Sequence, residues 1–200
     1  HYQKPMDIEW AKDGLTNEIF IVQARPETVH SLKNPYLIKE YKLLEKGTCL
    51  TKGNAIGSRI IHGRARILAA PDDGAQLQAG DIIVTDITSP DWDPVLKKAG
   101  GIITNKGGRT SHASIVAREL GVPAVVGCSD ATLTIADGEM ITISCAEGKT
   151  GFVYDGQLKY TSTTLDFTET LKPKDTEVML IAADPDQAFK LSFYPNDGIG

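Results

Sequence analysis

Residues 101–127, GIITNKGGRTSHASIVARELGVPAVVG, constrain this chain more than any other stretch. The apolar run Gly101 to Thr104 reads as a buried strand. Lys106-Gly107-Gly108 breaks it, and Thr110 or Ser111 supplies an N-cap for the helix that must follow. Ile115, Val116, Ala117 and Leu120 set an apolar stripe on that helix, Gly121 stops it, and Pro123 opens a second strand, Ala124 to Val126. A strand-helix-strand unit of this kind commits the neighbouring chain to an α/β architecture, a sheet with helices packed on it.

The same spacing puts His112 in the first turn of the helix, where backbone N–H groups lack partners and the positive end of the helix dipole points outward. A neutral imidazole there can act as a nucleophile, because the local field opposes its protonation by about 0.3–2 kcal/mol. A phosphoryl group placed on the ring would meet helix N–H groups, Arg109 and Lys106. On spacing alone a second reading stays open, in which His112 is an ordinary polar first-turn residue beside a Gly-rich loop.

The 200 residues carry 41% hydrophobic side chains, enough for a packed core, and a formal charge of −5. An acidic chain without a broad basic surface is a poor nucleic-acid binder. No apolar run approaches the roughly 20 residues of a membrane span, and no signal-peptide pattern is present, so a cytoplasmic location is expected. Cys49, Cys128 and Cys145 are odd in number and never in C-x-x-C, which argues against a disulfide framework or a zinc site and for ordinary reduced thiols. A chain that starts at His1 and stops on the turn-like Asn196-Asp197-Gly198-Ile199-Gly200 is expected to be a segment of something longer.

Taken in order, residues 1–30 read as a hairpin, with Asp13-Gly14 between Met6 to Trp10 and Ile19 to Val22, and Pro26 closing the second strand. On their own, Glu9, Gln23 and Arg25 are solvated strand-end polar groups. Residues 31–47, within a linker spanning 31–52, predict a short amphipathic helix through Leu37, Ile38, Tyr41, Leu43 and Leu44. A body at 53–155 follows, made of the strands Arg59 to Leu68, Asp81 to Asp86, Glu139 to Ser144 and Gly151 to Tyr154, with a helix at Pro94 to Ala99. Residues 156–176 read as a second linker. A strand, Glu177 to Ala182, and a helix begun at Asp184 to Phe189 complete a third segment, 177–200. His30 and His62 read as a linker residue and a partly buried strand polar group, Arg64, Arg66 and Arg118 as solvated charges, and Trp92 as a loop anchor.

GGRTSHASIVARELGVPAVVG resembles the phosphohistidine signature of the phosphoenolpyruvate-utilising enzymes over some twenty residues. The resemblance implies that His112 is the phosphoryl carrier, stabilised by Arg109, on a swivelling β/β/α phosphohistidine domain. Thr110 matches the threonine that a regulatory kinase or phosphatase acts on in the dikinases of that family. DIEWAKDG followed by IVQARPETV is similar to the end of those dikinases' ATP-grasp nucleotide-binding domain, where the residue matching Glu9 binds magnesium and those matching Gln23 and Arg25 contact ATP phosphates. The last segment resembles the opening strand and helix of the TIM-type barrel that binds phosphoenolpyruvate and pyruvate. Together these imply the pyruvate, water dikinase reaction, in which ATP, pyruvate and water give AMP, phosphoenolpyruvate and phosphate. ATP is then a substrate, Mg²⁺ the cofactor, and neither nucleic acid nor membrane a partner. Ser111 and Ser114 stand where the family often has Cys and Ala, which leaves pyruvate, phosphate dikinase, antibiotic phosphotransferases and enzyme I of the sugar phosphotransferase system as alternatives. An anion-binding module without catalysis is the alternative of a different class.

Overall fold

The computed structural model describes residues 6–26, 34, 36–170, 172–182, 191–192 and 194–200, with Asp7, Arg25 and Pro26 described by backbone alone. The chain forms two compact units, one of His1–Leu37 with Asp166–Gly200 and the other of Ile38–Leu165. His30 and the helix expected at 184–189 lie outside the described residues.

The first unit begins with an antiparallel hairpin of β1 (Met6–Lys12) and β2 (Ile19–Pro26). Its turn has a local cause. Asp13 Oδ1 accepts the backbone N–H groups of Leu15 (2.8 Å) and Thr16 (2.7 Å), and Asn17 adopts the left-handed region. These N–H groups, Thr16's first, hold the Asp13 carboxyl below its ordinary pKa.

The larger unit contains β3 (Leu37–Leu43), β4 (Cys49–Ile56), β5 (Ile60–Ile67), β6 (Ile82–Thr85), α1 (Asp93–Leu96) and β7 (Gly101–Thr104). It continues through α2 (His112–Leu120), β8 (Ala124–Val126), α3 (Ala131–Thr134), β9 (Met140–Ser144), β10 (Thr150–Asp155) and β11 (Tyr160–Asp166). Seven strands close into a barrel in the order β10-β4-β8-β7-β6-β5-β9. The steps β5–β6, β6–β7 and β7–β8 are parallel, and the remaining four are antiparallel.

The apolar runs in the middle of the barrel feed two cores at once. Because alternate residues of a strand face opposite sides, Ile82, Val84, Ile103 and Val125 turn inward with Ala55, Ala65, Ile141, Ile143 and Val153. Ile83, Ile102, Ala124 and Val126 turn outward against Ala113, Val116 and Ala117 of α2 and against Trp92 and Leu96. Strands buried on both faces have no polar alternation, and that is why Ile82–Thr85 and Gly101–Thr104 are unbroken apolar runs capped by Thr.

Two stretches differ from the sequence-based expectation. Residues 37–43 are the strand β3 and not part of an amphipathic helix. Ile38 is buried there, and the segment pairs with β11, which falls in the stretch read as the second linker. A partner strand from 120 residues later is a tertiary contact that local periodicity does not contain. The helix expected at Pro94–Ala99 is one turn, Asp93–Leu96, preceded by a 3₁₀ turn over Pro90–Trp92. In the first unit, the strand expected at 177–182 is the two-residue β12 (Met179–Leu180), which pairs in parallel with β13 (Gly198–Ile199). Among the described residues no helix is long and apolar enough to cross a membrane.

Cys128 and Cys145 are buried free thiols, and burial pushes the pKa of each up to about 12, whereas Cys49 is exposed. Iodoacetamide at neutral pH is therefore expected to alkylate Cys49 in the folded protein and the other two only after unfolding. Mass spectrometry of native and denatured samples checks this, and rapid native modification of Cys145 would contradict the barrel packing. Ile143→Ala, at a fully buried inward position, should cost about 2–5 kcal/mol in denaturant unfolding. Leu133→Ala, at 86% exposure, should cost under about 0.5 kcal/mol.

Candidate functional site

The parallel register aligns Ile82 with Gly101 and Thr85 with Thr104, so β6 and β7 end side by side. Their following loops emerge together at the C-terminal ends of adjacent parallel strands, the end of an α/β sheet where sites gather. The loop after β7 carries Asn105 to Ser111 into α2. The loop after β6 carries Asp86 to Ser89 into the 3₁₀ turn and α1.

The glycines of the first loop are structural requirements at two points. Gly107 has φ +107°, and a Cβ there would meet the Ser111 side chain at 2.9 Å. Gly127, at φ +73°, lets the chain after β8 come so close that a Cβ would lie 2.7 Å from the Gly107 carbonyl oxygen. Gly108 then supplies a carbonyl that accepts both the Ser111 N–H (3.0 Å) and the Ser114 hydroxyl (2.7 Å). Ser114 is fully buried, and its Oγ also lies 3.1 Å from Ser111 Oγ.

Ser111 is the N-cap by backbone, φ −68° and ψ 160°, but its side chain makes no capping hydrogen bond. Its hydroxyl is turned to Ser114. Thr110, the other candidate cap, is exposed and its side chain makes no hydrogen bond among the described residues. Gly121 closes α2 in the left-handed conformation, φ 67°, as its sequence position predicts. The buried face of the helix is Ala113, Ser114, Val116 and Ala117. Ile115, expected on the apolar stripe, is 47% exposed, because residues 115–117 span some 200° of the helix and cannot all face the barrel.

His112 is the first residue of α2. Its ring is clasped from the neighbouring loop: Nδ1 lies 3.1 Å from Thr88 Oγ1, and Nε2 lies 3.0 Å from Asp93 Oδ1. The imidazole is 22% exposed and the Asp93 side chain 46% exposed. The Asp93 contact is close without the alignment of a hydrogen bond, and Oδ1 is shielded from water and otherwise unpartnered. Trp92, 4% exposed and packed with Ala113 and Val116 in the outer core, pins this second loop to the same helix that carries His112.

The basic residues divide sharply. Lys106, expected to receive a phosphoryl group, is instead committed to Asp86: Nζ lies 2.8 Å from Oδ2, and this bond, followed by that of Asn105, holds the Asp86 carboxyl below its ordinary pKa. Arg118 donates to the Arg109 carbonyl at 2.7 Å. The Arg109 guanidinium, three residues before His112, makes no hydrogen bond or ion pair among the described residues. Arg66, read as a solvated charge, pairs with Asp81 (3.3 Å) and Asp137 (3.7 Å). His62 is exposed on β5, and its Nε2 lies 2.9 Å from the Gln157 side-chain amide nitrogen.

Thr88 and Asp93 are the two site residues that the sequence reading missed. Both flank rigid Pro-containing turns, Ser89-Pro90 and Asp93-Pro94, after a buried strand. That signal becomes legible only once β6 and β7 are known to be parallel neighbours. In the other unit, Glu9 and Gln23 are direct cross-strand partners on the hairpin, both exposed, and Asp7 is opposite Arg25 in the register. Among the described residues no group of three or more His, Cys, Asp or Glu side chains could hold a metal ion. Mg²⁺ takes about six oxygen ligands, more than the single Glu9 carboxylate carries.

Residues 77–148 match the mobile domain of PEP-utilising enzymes, and residues 1–43 match the AMP/ATP-binding domain of pyruvate phosphate dikinase. Phosphoenolpyruvate synthase of Aquifex aeolicus is 52% identical over 211 residues, an alignment that covers 100% of this chain and 24% of that protein. The Escherichia coli enzyme of the same name is 49% identical over 200 residues, covering 100% and 25%. The chain thus spans about a quarter of the length of the relatives it matches. The clasped histidine at the head of α2 lies within residues 77–148, so site and similarity meet in one place: the stretch that carries His112 is similar to the mobile domain of PEP-utilising enzymes.

Proposed function

We propose that this chain is the phosphoryl-carrying segment of a phosphoenolpyruvate synthase, in which His112 takes a phosphoryl group derived from ATP and passes it to pyruvate. The observation that carries the reading is the placement of His112 at the first residue of α2, ring held by a neighbouring loop and still partly open to solvent. The Thr88 hydroxyl engages Nδ1, and Nε2, faced by the Asp93 carboxylate, is the nitrogen assigned to the donor once that side chain moves aside. In the transfer step the Nε2 lone pair forms a bond to phosphorus as the donor P–O bond breaks and the leaving oxygen keeps its electron pair. The ring carries the added positive charge until the Nδ1 proton leaves to water. The free Arg109 guanidinium and the opening N–H groups of α2 are suited to the phosphoryl oxygens.

Gln23 and Arg25 are assigned to ATP phosphates, and Glu9 to one position of a Mg²⁺ shell completed elsewhere; no step is drawn through that ion. The segment borders proposed are an ATP-grasp end at 1–30, the carrier body centred on 53–155, and a barrel-domain start at 177–200. A tethered carrier visits two sites at high effective concentration, so the phosphoryl group is never released to water. A cytoplasmic enzyme of pyruvate metabolism follows from this chemistry.

The direct test is labelling of the full-length enzyme with [³²P]phosphoenolpyruvate. Acid-labile, base-stable label on His112 is expected, and His112→Ala should remove it while lowering stability by no more than about 1 kcal/mol. Unlabelled but well-folded wild-type enzyme would support the anion-binding alternative. The nucleotide products separate the close relatives, since AMP with free phosphate indicates the water dikinase and AMP with pyrophosphate the phosphate dikinase.

Thr110 is proposed as the residue through which a regulatory kinase and phosphatase would act. A phosphate there adds about −1.5 to −2 charges beside the group that must accept a dianion. Thr110→Glu should reduce His112 labelling about tenfold or more with the melting temperature unchanged. Because Thr110 neither caps α2 nor bonds its neighbours, Thr110→Val should label normally and cost under about 0.5 kcal/mol. Normal labelling of the Glu variant would rule out control by charge at this position.

A further inference from the structure

We propose that Asp93 is a positioning residue that occupies the phosphoryl position of His112 at rest and selects the resting tautomer of its ring. The inference rests on the carrier reading above and concerns what that reading does not use, a carboxylate oxygen 3.0 Å from the nitrogen assigned as nucleophile.

The two ring nitrogens face chemically different neighbours. Thr88 Oγ1, 3.1 Å from Nδ1, is a hydroxyl and can donate to a bare Nδ1 or accept from a protonated one. It tolerates both tautomers. An ionised Asp93 can only accept, so a lone pair on Nε2 would face a carboxylate oxygen at 3.0 Å, whereas an N–H there meets it favourably. Asp93 therefore holds the neutral ring in its Nε2–H form, which cannot attack phosphorus through Nε2.

Activation then requires two linked changes. The Asp93 side chain turns away, and the ring exchanges protons with water, losing one from Nε2 and gaining one at Nδ1, where Thr88 becomes the acceptor. The contact is suited to opening. Oδ1 is shielded from water and its contact with Nε2 lacks hydrogen-bond alignment, so rotation of this half-exposed side chain into solvent exchanges a poorly aligned contact for hydration. Trp92 and Pro94 hold the backbone on either side, confining the motion to the side chain. Once Nε2 carries a phosphoryl group, the returning carboxylate repels it, which favours onward transfer over retention. Asp93 thus suppresses unproductive attack in the empty carrier and hastens release from the loaded one.

The test compares Asp93→Asn, Asp93→Glu and wild type in the full-length enzyme carrying ring-¹⁵N histidine. Long-range ¹H–¹⁵N correlation on the neutral His112 ring reads the tautomer, a property that a merely structural residue would leave unchanged. Wild type and Asp93→Glu should show Nε2–H. In Asp93→Asn the amide N–H₂ can donate to a bare Nε2, and the population should move toward Nδ1–H. In the same samples, the ratio of labelled to unlabelled His112 at equilibrium with [³²P]phosphoenolpyruvate should rise about two- to fivefold in Asp93→Asn, the size expected of one half-exposed like charge. An Nδ1–H ring in wild type, or an unaltered tautomer and unaltered labelling in a folded Asp93→Asn enzyme, would overturn the proposal while leaving His112 as carrier. Absence of label from wild type would overturn the carrier reading and this proposal with it.

Discussion

The parallel pairing of Ile82–Thr85 with Gly101–Thr104 fixes where the chemistry sits. Each of these short strands is buried on both faces, so each side chain serves either the barrel interior or the outer core under α2. A slip of one residue would exchange the two sets and spoil both cores together. That penalty locks the register, and the locked register brings the ends of the two strands level. Thr88, in the loop after β6, and His112, at the head of α2, are 24 residues apart in sequence and 3.1 Å apart in space. The outer core then performs a second task, because Trp92 and the small buried residues of α2 bind both loops to one packed surface.

The electrostatics of the site follow from which charges are already used. Lys106 and Asp86 neutralise each other, while Asn105 bonds Asp86 and ties the loop to Thr132 through two hydrogen bonds of 2.7 and 3.1 Å. This network braces the start of the Gly-rich loop. Ser114 and the Gly108 carbonyl brace its end. Between the two braces, Arg109 is left uncommitted among the described residues, next to the helix start. The arrangement spends its fixed interactions on the loop backbone and keeps one guanidinium available for an anion.

Most strands of the barrel were legible in the sequence because their signals are local, whereas their closure into a barrel was not. Gly101–Thr104 and Ala124–Val126 are short apolar runs bounded by Gly and Pro, and Gly121 is a helix stop with its left-handed conformation written into the residue type. His112 could be placed at the helix start for the same reason. What remained hidden depends on contacts distant in sequence. β3 reads as an amphipathic helix until β11 is there to pair with it, and the first strand of the barrel proper, β4, has Lys52, Gly53 and Asn54 where an apolar run would identify it. Thr88 and Asp93 carry no motif of their own. Their roles come from the side of the ring that each one faces, a property of the closed barrel and not of the segment.

The central claim is that Thr88 keeps Nδ1 while Asp93 yields Nε2, so that Nε2, and not Nδ1, bears the phosphoryl group. The measurement that addresses it most directly is identification of the phosphorylated nitrogen, by alkaline hydrolysis of the labelled full-length enzyme and chromatography against the two phosphohistidine isomers. The account predicts the Nε2 isomer alone. Recovery of the Nδ1 isomer would mean that Thr88 yields its contact and that the geometry described for His112 is not the one that reacts.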